Sequence, residues 1–397
     1  MKASDKNRLV LLMLIFSSQL LFAQVSDTAT QSTTWIENAI EFFTFHPNHR
    51  KVQRDSSIYA SKFILAPIVS YSPEESLGIG TGSKFLFKFK GSGDETRTSN
   101  MPMSLLYTLE NQFVFHSGYE IFFNQEKWVL EGNVRLKSFP TFMWGIGNDT
   151  PNENKEKFSS LQVEVEPILL KQMFLDHLFV GLGFRINTVS NVQLERNGIV
   201  QNLPIPGIEG STSLGGQFGL LYDSRDNLLN ARKGAYIRFT HGQYDQILFG
   251  THTFQSTRLD CRYFVQPFKK KPKNDDVIAF QFASQFNKGN VPLAEYARLG
   301  SKEIMRGLFE GRYIDKNFMA TQVEYRKRIV GNLGMVGFVA VGDVAPQISD
   351  FNIPDLKVTG GLGVRYLIDK KENLNIRFDV GLSSEKAKQY INIAEAF

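Results

Sequence analysis

The stretch Leu374-Asn375-Ile376-Arg377-Phe378-Asp379-Val380-Gly381-Leu382-Ser383 sets Leu374, Ile376, Phe378, Val380 and Leu382 against Asn375, Arg377, Asp379, Gly381 and Ser383. Successive side chains of an extended strand point to opposite faces, so one face is apolar and the other ionic. The same split recurs upstream. Phe85, Phe87 and Phe89 oppose Lys84, Leu86, Lys88 and Lys90, and Trp128, Leu130, Val134 and Leu136 oppose Glu131, Asn133, Arg135 and Lys137. Leu259, Cys261, Tyr263 and Val265 oppose Arg258, Asp260, Arg262 and Phe264. Ile278, Phe280, Phe282 and Phe286 oppose Ala279, Gln281, Ala283 and Gln285.

Two architectures alternate in this way. In a soluble β-sandwich the polar face meets bulk water and strands run to about five or six residues. A membrane β-barrel turns its apolar face to lipid and its polar face to the lumen, with strands of about 9–11 residues. The runs here are nearer the second length, and 34 Phe and 13 Tyr supply the aromatic content of such a wall. The run Leu9 to Phe16 is too short for a helical span, which needs about 20 apolar residues, so a polytopic helical membrane protein is excluded. The fold expected is all-β: a transmembrane antiparallel β-barrel.

The runs begin near Lys62, Leu77, Met101, Phe113, Lys127, Ser159, Asp176, Ser211, Ala235, Thr251, Val277, Phe318, Leu333, Lys357, Leu374 and Lys388. That is about sixteen strands, an even number as expected for a bacterial barrel. Ser138–Phe158, Ser190–Gly210, Asn287–Asn317 and Pro346–Leu356 are long connections. Asn124–Glu126, Val330–Asn332 and Asp369–Asn373 are short. Short turns face the periplasm and long loops the outside, which puts the N-terminal end of the barrel on the periplasmic side.

Ahead of the barrel, Lys2, Lys6 and Arg8 precede the apolar run and Ala23-Gln24 follow it, the layout of a secretory signal over residues 1–23, although Leu21 stands where a small residue is preferred. No Cys follows the run, which argues against a lipoprotein anchor. Removing Lys2, Asp5, Lys6 and Arg8 takes +2 from the total of +5 and leaves +3, too little and too evenly spread for a nucleic-acid partner. Cys261 is the single cysteine, so no internal disulfide forms. Residues 24–61 make a short periplasmic segment, in which Trp35, Ile36, Ile40 and Phe43 form one short amphipathic helix that His46-Pro47 breaks. It lies on the membrane, plugs the barrel or acts as a linker. The barrel domain spans 62–397.

Several strings, in order, resemble the barrel of BamA/TamA-type outer-membrane assembly factors, the bacterial surface antigen family. Tyr222-Asp223-Ser224-Arg225-Asp226-Asn227 with Asn230-Ala231-Arg232-Lys233-Gly234 resembles its periplasmic turn, and Met305-Arg306-Gly307-Leu308 its Val-Arg-Gly-Phe/Tyr lid motif. Val323-Glu324-Tyr325-Arg326 resembles the strand after the lid, and the final strand ending in Phe397 resembles its assembly signal. The resemblance covers about 62–397 and implies a sixteen-stranded barrel whose long sixth outer loop folds inward, its Arg meeting acidic wall residues. Strand parity independently sets Gln322, Glu324 and Arg326 on the lumenal face, so Glu324 is placed to receive Arg306. The lid lock expected is Arg306, Gly307 and Glu324. Against it, Arg306 reads as a solvated loop residue.

The chain departs from the family pattern in three places. Ala340 stands where a second lumenal Asp is usual, with Asp343 out of parity. Leu308 replaces an aromatic. The 38 residues between signal and barrel are too few for a periplasmic client-binding module.

Other signals are weaker. Gly78, Gly80 and Gly82 lack dinucleotide spacing and read as lumen-facing glycines, as do Gly181/Gly183 and Gly361/Gly363. Pro67 in the first strand deletes a ladder donor and marks a weak first-to-last seam that can open sideways. His46 and His49 read as loop residues rather than half a metal site, and His116, His177, His241 and His252 have no triad signature beside them. Arg135, Arg185, Arg258, Arg262, Arg365 and Arg377, balanced by Glu131, Glu164, Glu166, Asp260 and Asp379, read as a lumenal ladder of ion pairs, or as an anion-selective pore. No enzyme, cofactor or metal is expected. The partners expected are outer-membrane lipid, outer-membrane client proteins and a periplasmic protein. The leading function is assistance in assembly, insertion or translocation of outer-membrane components, and the alternative is a passive pore or structural barrel.

Overall fold

The computed structural model describes residues 61–72, 76–92, 96–138, 140–196, 198–246, 249–267, 276–370 and 373–397. The expected signal, the 24–60 part of the periplasmic segment and its amphipathic helix lie outside them. One sheet has 17 strands, of which Thr141–Met143 is a three-residue addition, leaving sixteen long strands in the wall. In chain order these are β1 (Lys62–Ser72), β2 (Ser76–Phe87), β3 (Ser99–Thr108), β4 (Phe113–Phe123), β5 (Trp128–Ser138) and β6 (Glu156–Gln172). Then come β7 (Leu178–Gln193), β8 (Ser211–Asp223), β9 (Gly234–Tyr244), β10 (Phe254–Val265) and β11 (Val277–Gly289). The last five are β12 (Asn317–Val330), β13 (Leu333–Ala345), β14 (Lys357–Asp369), β15 (Leu374–Leu382) and β16 (Lys388–Ile393).

Each strand pairs antiparallel with its sequence neighbour, and β16 returns to β1, so the sheet is a sixteen-membered ring. The two seam strands are unequally held. β1 pairs β2 from Lys62↔Leu86 to Ser72↔Ser76, whereas Tyr71↔Ile391 is the one register pair joining β1 to β16 among the described residues.

The decisive stretch behaves as its alternation requires. On β15, Asn375, Arg377 and Asp379 are 8%, 2% and 0% exposed, while Ile376, Phe378 and Leu382 are 41%, 39% and 54% exposed. Charges inside and apolar side chains outside invert the soluble pattern, and only a lipid surround makes the outer face favourable. The outward row continues around the ring with Leu182, Phe184, Tyr263, Phe280, Tyr325, Val339 and Leu362 exposed. Inside, the arginines and acids of the expected ladder pair: Arg135 and Arg185 with Glu164, Arg258 with Glu166, Arg262 with Asp260, and Arg365 and Arg377 with Asp379.

At the short-turn end, the β8–β9 connection shows why its sequence is rich in Asp and Asn. Asp226 Oδ1 accepts from the Arg232 and Lys233 N–H groups at 2.9 and 3.2 Å, and Asn227 Oδ1 accepts from Leu229 and Asn230, both at 2.8 Å. These side chains satisfy turn donors that no ladder reaches. The long loops collect at the opposite end.

Candidate functional site

The segment between β11 and β12, residues 290–316, folds over and into the lumen. It starts with the 3-10 turn Leu293–Glu295, continues as the two-stranded ribbon Ala297–Leu299 with Tyr313–Asp315, and between these strands drops Arg306 into the barrel. Two apolar clusters hold it: Val291, Leu293, Tyr296 and Ile314 pack with Met143, Val200, Tyr244 and Phe254, and Leu299, Met305, Leu308 and Tyr313 with Ala320, Ala340 and Val344.

Arg306, Glu324 and Asp379 are each 0% exposed. One guanidinium nitrogen of Arg306 donates to Glu324 Oε1 and the other to Asp379 Oδ2 at 2.7 Å, while its plane lies 3.7 Å from the Phe338 ring centre. The planar fork thus spans β12 and β15 at once, a reach that a single ammonium lacks. Buried charges are tolerable only when fully paired, and both acids have further partners. Arg326 donates to Glu324 at 2.8 Å, and Arg365 and Arg377 donate to Asp379 at 2.5 and 3.0 Å.

Gly307 has φ 115°, and a Cβ there would lie 2.7 Å from the Leu382 carbonyl oxygen. A Cβ on Gly381 would meet Gly307 N at 2.5 Å. The lid backbone therefore lies directly on β15, and only glycine on both sides permits it. Gly307 N–H donates to the Tyr390 hydroxyl at 3.0 Å, that hydroxyl donates to Leu308 O at 3.2 Å, and Ser383 Oγ donates to Gly307 O at 3.0 Å. The lid tip is thus stitched to the last hairpin.

The family resemblance implied that Arg306 meets acids of the wall and strand parity set Glu324 toward the lumen; the structure places these two side chains together. Where the family has a second lumenal acid this chain has Ala340, and the structure supplies the second acid from another strand. Ala340 packs in the apolar cluster with Leu299, Met305 and Leu308, and the second acid is Asp379, from β15. A small residue at 340 leaves room for Leu308, the residue that replaces the family's aromatic. Asp379 already belonged to the ionic face of its strand. No local pattern joins it to Arg306, because their meeting depends on how deep the lid reaches. Asp343, out of parity with Ala340, instead accepts from Asn148 Nδ2 at 3.2 Å.

A second anchor has no signal in the sequence. Glu295 accepts from Arg185 at 2.7 Å and Asn187 at 2.6 Å on β7. Burial alone raises a carboxyl, but Arg185 and Arg258 outweigh it and hold Glu295 below the usual carboxylate range. A third anchor is Arg312, which donates to Thr150 Oγ1 and Thr150 O, both at 2.7 Å, and to Glu385. Beneath the lid a cavity of about 570 Å³ remains, lined by Tyr119, Glu120, Glu131, Tyr236, Arg238 and Asp260 among others. Among the described residues no group of three or more His, Cys, Asp or Glu is placed to hold a metal.

Phe397, expected as an assembly signal on a final strand, lies beyond β16, with its side chain 7% exposed against Phe264, Ala279 and Ala231.

A model of the Omp85 superfamily domain matches residues 181–390, more than half of the chain. No curated protein sequence matches it. Solved structures share the fold. BamA from Haemophilus ducreyi lacking POTRA domains 1–3 is similar at 12% identity and TM-score 0.53, over 85% of this chain and 70% of that one. CdiB from Escherichia coli is similar at 10% identity and TM-score 0.56, over 83% of this chain and 62% of that one. CdiB from Acinetobacter baumannii is similar at 11% identity and TM-score 0.51, over 84% and 65%. The chain therefore spans under two thirds of either CdiB. With the family match, the ring of lipid-facing strands and the charged lumen together, the chain belongs to the Omp85 superfamily, as a β-barrel of the bacterial outer membrane.

Proposed function

We propose that this barrel assists insertion or translocation of other outer-membrane components, using an inward lid locked by Arg306, Gly307 and Glu324 and a weak β1–β16 seam. The observation that carries the reading is the lid tip, whose one arginine is clamped between two buried acids of different strands. A passive pore has no use for a lumen closed by three separate anchors, and the mixed charges of the wall weigh against strong ion selectivity. Pro67 on β1 and the single described register pair to β16 support a seam that parts more easily than any other. The BamA and CdiB likenesses add the precedent of the fold, with clients and a periplasmic partner as the corresponding ligands of this chain.

Depletion in the native bacterium tests the reading. Lowered amounts of other outer-membrane proteins are expected. Normal amounts of those proteins, together with steady single-channel conductance by the purified barrel, would overturn it in favour of the pore.

A further inference from the structure

At the periplasmic ends of β12, β13 and β14 one cross-strand row reads Arg328, Gly334, Arg365: Arg328 pairs with Gly334, and Gly334 with Arg365. Two residues before Arg328 on the same strand, Arg326 takes the same lumenal face by parity. A residue without a side chain between two arginines leaves a gap in the wall lining. A cavity of about 60 Å³ lies there, lined by Arg326, Arg328, Gly334 and Arg365, with Arg232 of the β8–β9 turn and Glu395. About 10–15 Å³ is enough for one water, so this space admits a tetrahedral oxyanion.

The charges of the lining do not balance. Four guanidinium groups meet one carboxylate, and asparagines supply most of the remaining polar wall. Lys327 also borders the cavity, but it is exposed and by parity turns to the outer face of the strand. Such a lining favours an anion and repels a cation.

A second, independent observation concerns the donors. Arg326 is 6% exposed and Arg365 4%. Arg326 Nε donates to Glu324 at 2.8 Å and Nη2 to the Phe397 main-chain oxygen at 2.9 Å, while Nη1 is buried without an acceptor. Arg365 Nε donates to Glu395 at 2.7 Å and Nη1 to Asp379 at 2.5 Å, while Nη2 is buried without an acceptor. Buried donors are nearly always paired, and leaving one unmade costs more than a made bond gains. Two of them, on arginines lining one cavity, call for an acceptor with oxygens on several sides. A phosphate group has that shape, and the guanidinium fork is the side chain that matches it.

We propose that this cavity at the periplasmic mouth is a phosphate-binding site, in which Arg326 Nη1 and Arg365 Nη2 donate to phosphate oxygens and Arg328 and Arg232 complete the positive surround. Inorganic phosphate and the diester head group of an anionic lipid of the periplasmic leaflet present the same chemistry. The site goes beyond the proposed function and needs no client.

The test is isothermal titration calorimetry on the full chain in nonionic detergent, with inorganic phosphate in one arm and short-chain phosphatidylglycerol in the other. Two charge-assisted hydrogen bonds should give a Kd of about 1 mM or tighter in at least one arm. Arg326→Gln, which removes one of the two donors, and Arg328→Gln, which removes a lining charge, should each weaken binding about tenfold. Lys327→Gln makes the same charge change one residue away on the opposite face, and should alter binding by less than about twofold. Arg328 and Lys327 are both exposed, so their comparison keeps the proposal testable if Arg326→Gln does not insert. Binding of phosphate alone assigns the site to a free anion, and binding of the lipid assigns it to a head group; either supports it. No binding in either arm up to about 10 mM would overturn it, since water would then be the acceptor. Lys327→Gln weakening binding as much as Arg328→Gln would overturn it too, because a diffuse field and not a formed site would be responsible.

Discussion

Replacing Arg306 by Ala removes one cation from a buried cluster in which Glu324 and Asp379 are wholly shielded from water. Breaking a buried ion pair by deleting one partner costs about 3–5 kcal/mol. Glu324 keeps Arg326, and Asp379 keeps Arg365 and Arg377, so neither acid is orphaned and the lower end of that range applies. At about 3 kcal/mol the ratio of closed to open lid falls roughly a hundredfold. The barrel itself should survive, because its ladder does not pass through Arg306. Impermeant-maleimide labelling of Met305→Cys, which is 0% exposed in the closed state, measures the ratio directly. Arg306→Lys should fall between parent and Ala, since an ammonium keeps the charge but loses the two-pronged reach to both acids. Refolding must be verified by migration on unheated gels. Unchanged labelling of an Arg306→Ala barrel that still migrates as folded would refute the argument that this clamp closes the lid.

Three further outcomes are expected. Gly307→Ala combines a φ of 115° with a Cβ 2.7 Å from Leu382 O, so it should open the lid by a cost of about 1–3 kcal/mol, read by the same labelling. Ala340→Asp should loosen the lid rather than reinforce it, because the new carboxylate would enter the cluster of Leu299, Met305 and Leu308; tighter closure would contradict the assignment of the second acid to Asp379. Glu295 is held below the usual carboxylate range, so its contribution is complete above that range and is lost only as pH falls through its lowered value. Lid labelling, taken relative to the same cysteine in the unfolded chain at each pH because the reactive thiolate falls about tenfold per pH unit, should therefore stay flat from neutral pH down to about 4.3 and rise only below it, while Glu295→Gln should raise this relative labelling at neutral pH and flatten the acid rise.

The wall of this molecule was legible because alternation is local. Whether Arg377 faces inward depends on the residues beside it, and the observed strands begin within about three residues of each expected start. Arg306 with Glu324 was legible only in part: parity set Glu324 on the lumenal face, and the family resemblance of the lid motif supplied the rest. The remaining anchors were not. Glu295 reads as an ordinary loop acid until the fold of the ribbon lowers it onto Arg185 and Asn187. Nothing near Tyr390 in the chain says that its hydroxyl will hold Gly307 and Leu308. Phe397 reads as the end of a wall strand, and the turn at Ala394 carries it inside.

By itself the amino-acid order determined the ring, its inside and its outside, because the two-residue period of a strand fixes which side chains lipid and lumen receive. Only the tertiary structure decided which charges meet across the lumen. Asp379 and Glu324 come from strands that are not neighbours, and their convergence on Arg306 depends on the curvature of the ring and the depth of the lid, distances that no local pattern encodes.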